Sequence, residues 1–179
     1  MQVIMENTPS RSVTLASRTG TQGAVVLPIV AFVVPFFVSG PQWLTGTAVN
    51  CLLVLAAARL PKRLVWPVIL LPSIAAVLHG AVFGPFTHFL LYFVPFIWTG
   101  NWLFTTSFMR LRSSSAFLAV CVAALIKAAF LALLALVFFR LHLVPQVFIT
   151  SMSVLQFVTA VTGGMLALMI LQFLETSHE

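Results

Sequence analysis

Long apolar runs separated by short polar hinges are the main pattern of this chain. A transmembrane helix needs about 20 predominantly apolar residues, and six runs reach or approach that length. They extend over Gly23–Val38, Pro41–Leu60, Val65–Phe83, Pro85–Phe108, Ser115–Phe139 and Pro145–Leu174. The pattern predicts an all-α, polytopic membrane domain of about six helices over residues 23–174. Because the first run is short, the range of five to seven spans stays open.

Prolines lie inside the predicted spans, and four of them, Pro28, Pro35, Pro72 and Pro95, lie at least five residues from the start of their span. A proline in a helix interior removes one backbone hydrogen bond and bends the helix. In membrane proteins the freed backbone groups are tolerated where they contact protein or line a cavity. The prolines therefore predict bent helices around an internal space.

Polar segments flank the predicted domain at residues 1–22 and 175–179. The first 20 residues lack the short apolar core of a signal peptide. They predict a disordered cytoplasmic tail, with an organelle transit peptide as the alternative.

Charge is scarce and mostly basic, which bears on partners and orientation. The chain is 61% hydrophobic and 7% charged, whereas soluble domains are about 25% charged. Three basic clusters lie on one side of the predicted topology: Arg11 with Arg18, Arg59 with Lys62 and Arg63, and Arg110 with Arg112. The positive-inside rule makes that side cytoplasmic. We therefore expect both termini in the cytoplasm, a bacterial inner membrane, and contact with anionic lipids in place of nucleic acid. Arg140 and His142 fall on the opposite side.

Lys127 lies in the middle of the fifth apolar run, far from any acid. The three carboxylates of the chain, Glu6, Glu175 and Glu179, are all in the tails. A charged amine at that depth costs roughly 2.5–3.5 kcal/mol on insertion scales and usually has a partner. Backbone carbonyls, water, an anionic ligand or another subunit could be that partner, or the amine stays neutral.

Several other polar or aromatic side chains fall within or beside the spans. With Lys127 they form a predicted ligand-binding set: Asn50, Trp98, Gln156, His79, His88, Tyr92 and Asn101. Apolar walls with a few placed polar groups are typical of small-molecule sites. The pattern predicts a pocket that opens outward, with a cation at its floor. The alternative is that amide and hydroxyl groups only hold helices together, at roughly 0.6 kcal/mol per contact.

Catalytic and cofactor signatures are not found in the sequence. The spans contain no carboxylate for acid–base chemistry or magnesium binding, and no glycine-rich phosphate loop is present. Cys51 and Cys121 lie on different spans without metal-binding spacing. We therefore expect neither an enzyme nor a bound cofactor. Haem ligation by His79 and His88, or with His142 as second ligand, is a minor alternative.

Two resemblances follow from these features. Six spans within 179 residues, short loops, kinked helices and an outward pocket resemble the S components of energy-coupling-factor transporters. That resemblance implies binding of a vitamin-like molecule and docking on a T component driven by two ATPases. Where that family's first helix often carries Ala-x-x-x-Ala, this chain has Ala24, Pro28 and Ala31. Residues 41–47, 84–87 and 95–101 are also similar to a bacterial membrane family labelled iron hydrogenase, although two cysteines are too few for an iron–sulfur cluster.

Two functional hypotheses result. In the first, the chain is the small-molecule binding subunit of a transporter, and an anionic ligand supplies the counter-charge of Lys127. In the second, it is an accessory or structural subunit of a larger respiratory, photosynthetic or hydrogenase-type membrane complex. Lys127 would then pair with an acid of a neighbouring subunit or with a cofactor carboxylate.

Overall fold

A computed structural model describes the backbone of residues 12–38, 41–80 and 84–176 and the side chains of 25–38, 41–80 and 86–176. Those residues form helices and connecting turns, without a β-strand. The helices are α1 (Ser12–Phe37), α2 (Gln42–Arg59), α3 (Lys62–His79), α4 (Leu90–Leu111), α5 (Ala116–Arg140), α6 (Val147–Met152) and α7 (Val154–Thr176), with a 3-10 helix at Gly84–Phe89 before α4.

Three helical stretches are long and apolar enough to cross a membrane: α3, α5 and the stretch Val147–Thr176 that comprises α6 and α7. A shorter apolar helix covers Val25–Phe37 within α1. The described part of the chain is therefore all-helical and suited to a membrane, as predicted.

Helix α1 begins before the predicted first span, and α7 ends at Thr176, two residues after the predicted last span. The polar segment 1–22 is predicted to be a tail, yet α1 begins at Ser12. No proline interrupts residues 12–27, so polar residues that a helix tolerates extend it beyond the apolar run. The rest of that tail, residues 1–11, lies outside the described residues, as do 177–179 and the turn residues 39, 40 and 81–83.

The sixth apolar run is a broken helix. Ser153 separates α6 from α7 with φ −112° and ψ −94°, and its hydroxyl donates to the carbonyl oxygen of Ile149 at 2.5 Å. A serine side chain that bonds backward in this way competes with the helical backbone pattern. Broken helices at membrane depth are tolerated where they line a cavity.

Local sequence signals explain where several helices begin and end. Pro41 and Pro61 directly precede α2 and α3, where their missing N–H groups would have no helical partner. The Ser115 hydroxyl caps α5 by accepting from the amide of Leu118 at 3.4 Å. Gly80 ends α3 with φ +76°, a left-handed conformation that glycine adopts without a steric penalty.

Helix α2 lies at the centre of the bundle and packs against α1, α3, α4 and α7. Its contact with α7 is close because α7 has glycines at the interface. A Cβ at Gly163 would lie 2.8 Å from the Cys51 amide nitrogen on α2, and one at Gly164 would lie 2.5 Å from Val120 Cγ1 on α5. Small residues let membrane helices approach closely, so α7 joins α2 to α5.

The outer surface of the bundle is apolar over much of α5 and α7. Phe117, Leu118, Leu125 and Leu133 on α5 are 59% to 63% exposed. A continuous apolar surface of this kind marks a membrane or protein contact. It indicates that lipid or another protein covers this face of α5.

Candidate functional site

A cavity of about 90 Å³ lies inside the bundle, at the end where α2 begins. Every helix from α1 to α7 contributes to its wall. Its polar lining residues are Gln42, Thr45, Asn50, Ser73, Asn101, Lys127 and Gln156. Pro35 of α1 and Pro72 of α3 also line it, so two of the prolines within spans lie at the cavity.

One face of α2 forms the longest wall. Gln42, Thr45, Gly46, Val49 and Asn50 all line the cavity, and their spacing of three and four residues places them on one side of a helix. At 1.5 Å per residue, the face extends about 12 Å from the first residue to the last. Gln42 is half-buried and Asn50 is buried, so the cavity deepens along α2.

Lys127 is enclosed at the deep end of the cavity. It is 2% exposed, and its Nζ donates a hydrogen bond of 2.7 Å to Asn50 Oδ1. The amine also lies 5.5 Å from the ring centroid of Phe104, a distance suited to a cation–π contact. Both partners are neutral, so a protonated amine has no counter-charge from them.

Asn50 is held in the orientation that serves Lys127. Its Nδ2 donates to the carbonyl oxygen of Gly46 at 2.8 Å and to Thr159 Oγ1 at 3.3 Å. The Thr159 hydroxyl in turn donates to the carbonyl oxygen of Leu155 at 2.8 Å. With the amide nitrogen fixed by two acceptors, the amide oxygen faces the lysine. The network links α2, α5 and α7.

Asn101 brings a second buried amide to the cavity. It is 1% exposed, and its Nδ2 donates to the carbonyl oxygen of Ile69 on α3 at 3.2 Å. Ile69 lies three residues before Pro72, in the turn that the proline ring perturbs. The other atom of the amide, Oδ1, is buried and has no hydrogen-bond partner among the described residues.

Of the eight predicted site residues, the structure brings Lys127, Asn50, Asn101 and Gln156 together at one cavity. Trp98 is placed differently. Its indole N–H donates to Ser73 Oγ at 2.7 Å and to the Leu70 carbonyl oxygen at 3.2 Å. Trp98 thereby fastens α4 to α3 and does not line this cavity.

His79, His88 and Tyr92 lie at the surface, outside the cavity lining. The His79 ring is 6.0 Å from that of Phe36, and the His88 ring is 4.0 Å from that of Phe89. Tyr92 is 51% exposed. In the described ranges, no group of three or more His, Cys, Asp or Glu residues could hold a metal ion.

Phe104 is the contact of Lys127 that sequence reasoning did not select. It lies one helical turn beyond Asn101 on α4, so the two share a face. The chain has 17 phenylalanines. The spacing from a polar lining residue is the sequence signal that sets Phe104 apart from other buried phenylalanines.

Comparison with known proteins gave no match to a family model, a curated protein or a solved structure. The case for a function therefore rests on the cavity. Its composition, with apolar walls, two buried amides and one buried amine, is suited to holding a small polar molecule.

Proposed function

We propose that this chain binds a small anion in the membrane as the binding subunit of a transport system. The observation that carries the proposal is the environment of Lys127, an enclosed amine that lines a cavity and whose hydrogen-bond and ring partners among the described residues, Asn50 and Phe104, are neutral. An ammonium has three N–H donors, and Asn50 accepts from one. An anion in the cavity would accept from the others and supply the missing counter-charge.

The attraction expected from an anion is large compared with that of an amide. Two unit charges 4 Å apart attract with about 4 kcal/mol at an effective dielectric constant of 20, against about 1 kcal/mol in water. Hydrogen bonds to charged groups are also roughly twice as strong as neutral ones. The enclosed amine is thus a group from which a small anion gains affinity.

The proposal includes six spans, although α1, α2 and α4 fall outside the three stretches suited by length and apolar character. Helix α2 has 18 residues and is about 27 Å long, close to the ~30 Å hydrocarbon thickness of a bilayer. Neighbouring helices surround it, so its polar side chains contact protein and the cavity in place of lipid. A central helix of that kind can cross a membrane with lower hydropathy.

Orientation follows from the basic residues. With Arg59, Lys62 and Arg110 on the cytoplasmic side, both termini are cytoplasmic and Gln42 is at the outer side. The cavity then opens towards the outside of the cell, as the binding subunit of an uptake system requires. The site is proposed for binding and not for a reaction.

The alternative, an accessory subunit of a larger complex, makes a different use of Lys127. Its amine would have to meet an acid of a neighbouring protein. At 2% exposure and with contacts to α2 and α4, the amine is accessible to a molecule inside the cavity more readily than to a neighbouring subunit. This enclosure favours the ligand.

The test is anion binding by the purified protein in detergent or nanodiscs. A panel of small carboxylates is titrated while thermal stability and heat are measured. We expect Lys127→Met to weaken the best ligand on the order of 100-fold, whereas Lys62→Met, which changes an exposed lysine, leaves affinity unchanged. Equal affinity of Lys127→Met and the parent protein would rule out this site. Copurification with redox subunits would support the accessory role.

A further inference from the structure

The buried oxygen of Asn101 is the second unmatched group of the cavity. Its orientation is fixed, because exchanging oxygen and nitrogen would place the amide oxygen against the carbonyl oxygen of Ile69, which now accepts from Nδ2 at 3.2 Å. Asn101 lines the cavity, and its Oδ1 is a buried acceptor with no donor from the described residues. A buried acceptor without a partner is costly, so a ligand that supplies a donor gains from it.

Lys127 presents the opposite chemistry. Its Nζ makes one hydrogen bond, to Asn50, and has further donors for a ligand acceptor. Lys127 and Asn101 both line the cavity, from α5 and α4 respectively. A ligand that satisfies both residues needs an acceptor for the amine and a donor for the amide oxygen.

Charge narrows the kind of donor. All three carboxylates of the chain lie near its ends, and the lining residues include one cation and no acid. A ligand with charge −1 balances Lys127. A zwitterion would bring an additional ammonium into the same enclosed space, where like charges repel strongly. A neutral donor, such as a hydroxyl or an amide N–H, therefore suits the site better than an ammonium.

Size narrows the class further. A water molecule needs about 10–15 Å³ of such a cavity, so about 90 Å³ holds on the order of six water-sized groups. Sites for drug-sized ligands begin at about 300 Å³. The cavity fits a molecule of a few heavy atoms.

We infer that the ligand is a small monocarboxylate that also carries a neutral hydrogen-bond donor, such as a 2-hydroxy acid. Its carboxylate accepts from Lys127 and its hydroxyl donates to Asn101 Oδ1. This inference rests on the proposed anion site.

Three molecules of the same shape test the inference: lactate with a hydroxyl, isobutyrate with a methyl and alanine with an ammonium at the equivalent position. Their affinities for the purified protein are measured by calorimetry. We expect lactate to bind about tenfold more tightly than isobutyrate and more tightly than alanine. In Asn101→Leu, lactate and isobutyrate should bind within about twofold of each other. The ratio within one variant is insensitive to a general loss of stability.

The outcomes separate this inference from the anion site itself. Isobutyrate binding as tightly as lactate, or alanine binding more tightly, would overturn the neutral donor and leave the anion site standing. Absence of binding by all three also overturns the inference, whereas the anion site fails only if carboxylates bind the parent protein and Lys127→Met equally. A lactate preference that persists in Asn101→Leu would mean that another group, or water, meets the ligand hydroxyl. Because the parent ranking needs no variant, the test holds even if Asn101→Leu does not fold.

Discussion

Replacing Asn50 with leucine removes the side-chain acceptor of the Lys127 amine. The bond of 2.7 Å between Nζ and Oδ1 is lost, while the ring of Phe104 still lies 5.5 Å from the amine. Leucine shares the branching of asparagine at Cγ but can neither donate nor accept a hydrogen bond, so the change removes every hydrogen bond of the side chain. We expect the free energy of unfolding to fall.

The size of the loss depends on the charge of the amine. A hydrogen bond to a charged group contributes about 1.5–3 kcal/mol, whereas a neutral contact between membrane helices contributes about 0.6 kcal/mol. Asn50 also donates to Gly46 and Thr159, and leucine loses those bonds as well. A single variant therefore does not isolate the contact with the lysine.

A double-mutant cycle with Lys127→Met isolates it. Methionine keeps most of the apolar stem of lysine and removes the amine. The bonds of Asn50 to α2 and α7 are lost in both backgrounds and cancel. We expect a coupling energy of about 2 kcal/mol between the two sites.

The assay is reversible unfolding in a denaturing detergent, followed by the fluorescence of the four tryptophans. Gln42→Leu is the matched control, because Gln42 is on the same face of α2 about 12 Å from Asn50 and should show no coupling with Lys127→Met. A coupling energy near 0.6 kcal/mol or less between Asn50 and Lys127 would refute a charged amine held by the amide.

Three further predictions concern packing, Trp98 and topology. Gly163→Ala should destabilise the protein by about 1–3 kcal/mol, because its Cβ would lie 2.8 Å from a backbone nitrogen of α2; Gly100→Ala is the control, since its Cβ would meet a leucine side chain at 3.4 Å. Trp98→Phe should lower the free energy of unfolding by about 1 kcal/mol through loss of the indole hydrogen bonds, with unchanged ligand affinity. In a background without native cysteines, a cysteine at His142 should react with an impermeant reagent added outside cells, and one at Ser113 should react only after the membrane is opened.

Each of these three predictions has an outcome that would contradict it. Equal unfolding midpoints for the two alanine variants would mean that α2 and α7 are not closely packed. A large loss of ligand affinity in Trp98→Phe would place the indole in the site, as the sequence prediction has it. Labelling of the cysteine at position 113 from outside would reverse the proposed orientation.

The sequence alone predicts the class of the protein and singles out Lys127, the residue on which the proposed function depends. Apolar runs of about 20 residues predict helices in a membrane, because a bilayer requires each backbone group to be bonded within its own helix. An isolated lysine in such a run predicts an enclosed polar site, since a charge at that depth needs a partner. Both arguments use one segment at a time and need no tertiary structure.

Which side chains share the cavity depends on helix rotation and packing. Asn50 meets Lys127 because Gly163 and Gly164 bring α7 against both α2 and α5. Trp98 and Asn101 are three residues apart on α4, and both donate hydrogen bonds to α3. Asn101 lines the cavity, whereas Trp98 does not.

The start of the first helix and the continuity of the last span differ from what the hydropathy pattern predicts, and both differences have local causes. Hydropathy places the start of the first span at Gly23, but a helix does not need to end where the membrane does, and α1 begins at Ser12. The break at Ser153 follows a backward hydrogen bond to Ile149, which no apolar pattern reveals.

The sequence thus determines that a lysine lies within an apolar, helical segment, because composition and run length are local properties. The tertiary structure decides that its nearest acceptor is the neutral amide of Asn50 and that a second amide, on Asn101, has an oxygen without a partner. Those relations join residues on different helices, and the distances between helices are set by how small and large side chains pack.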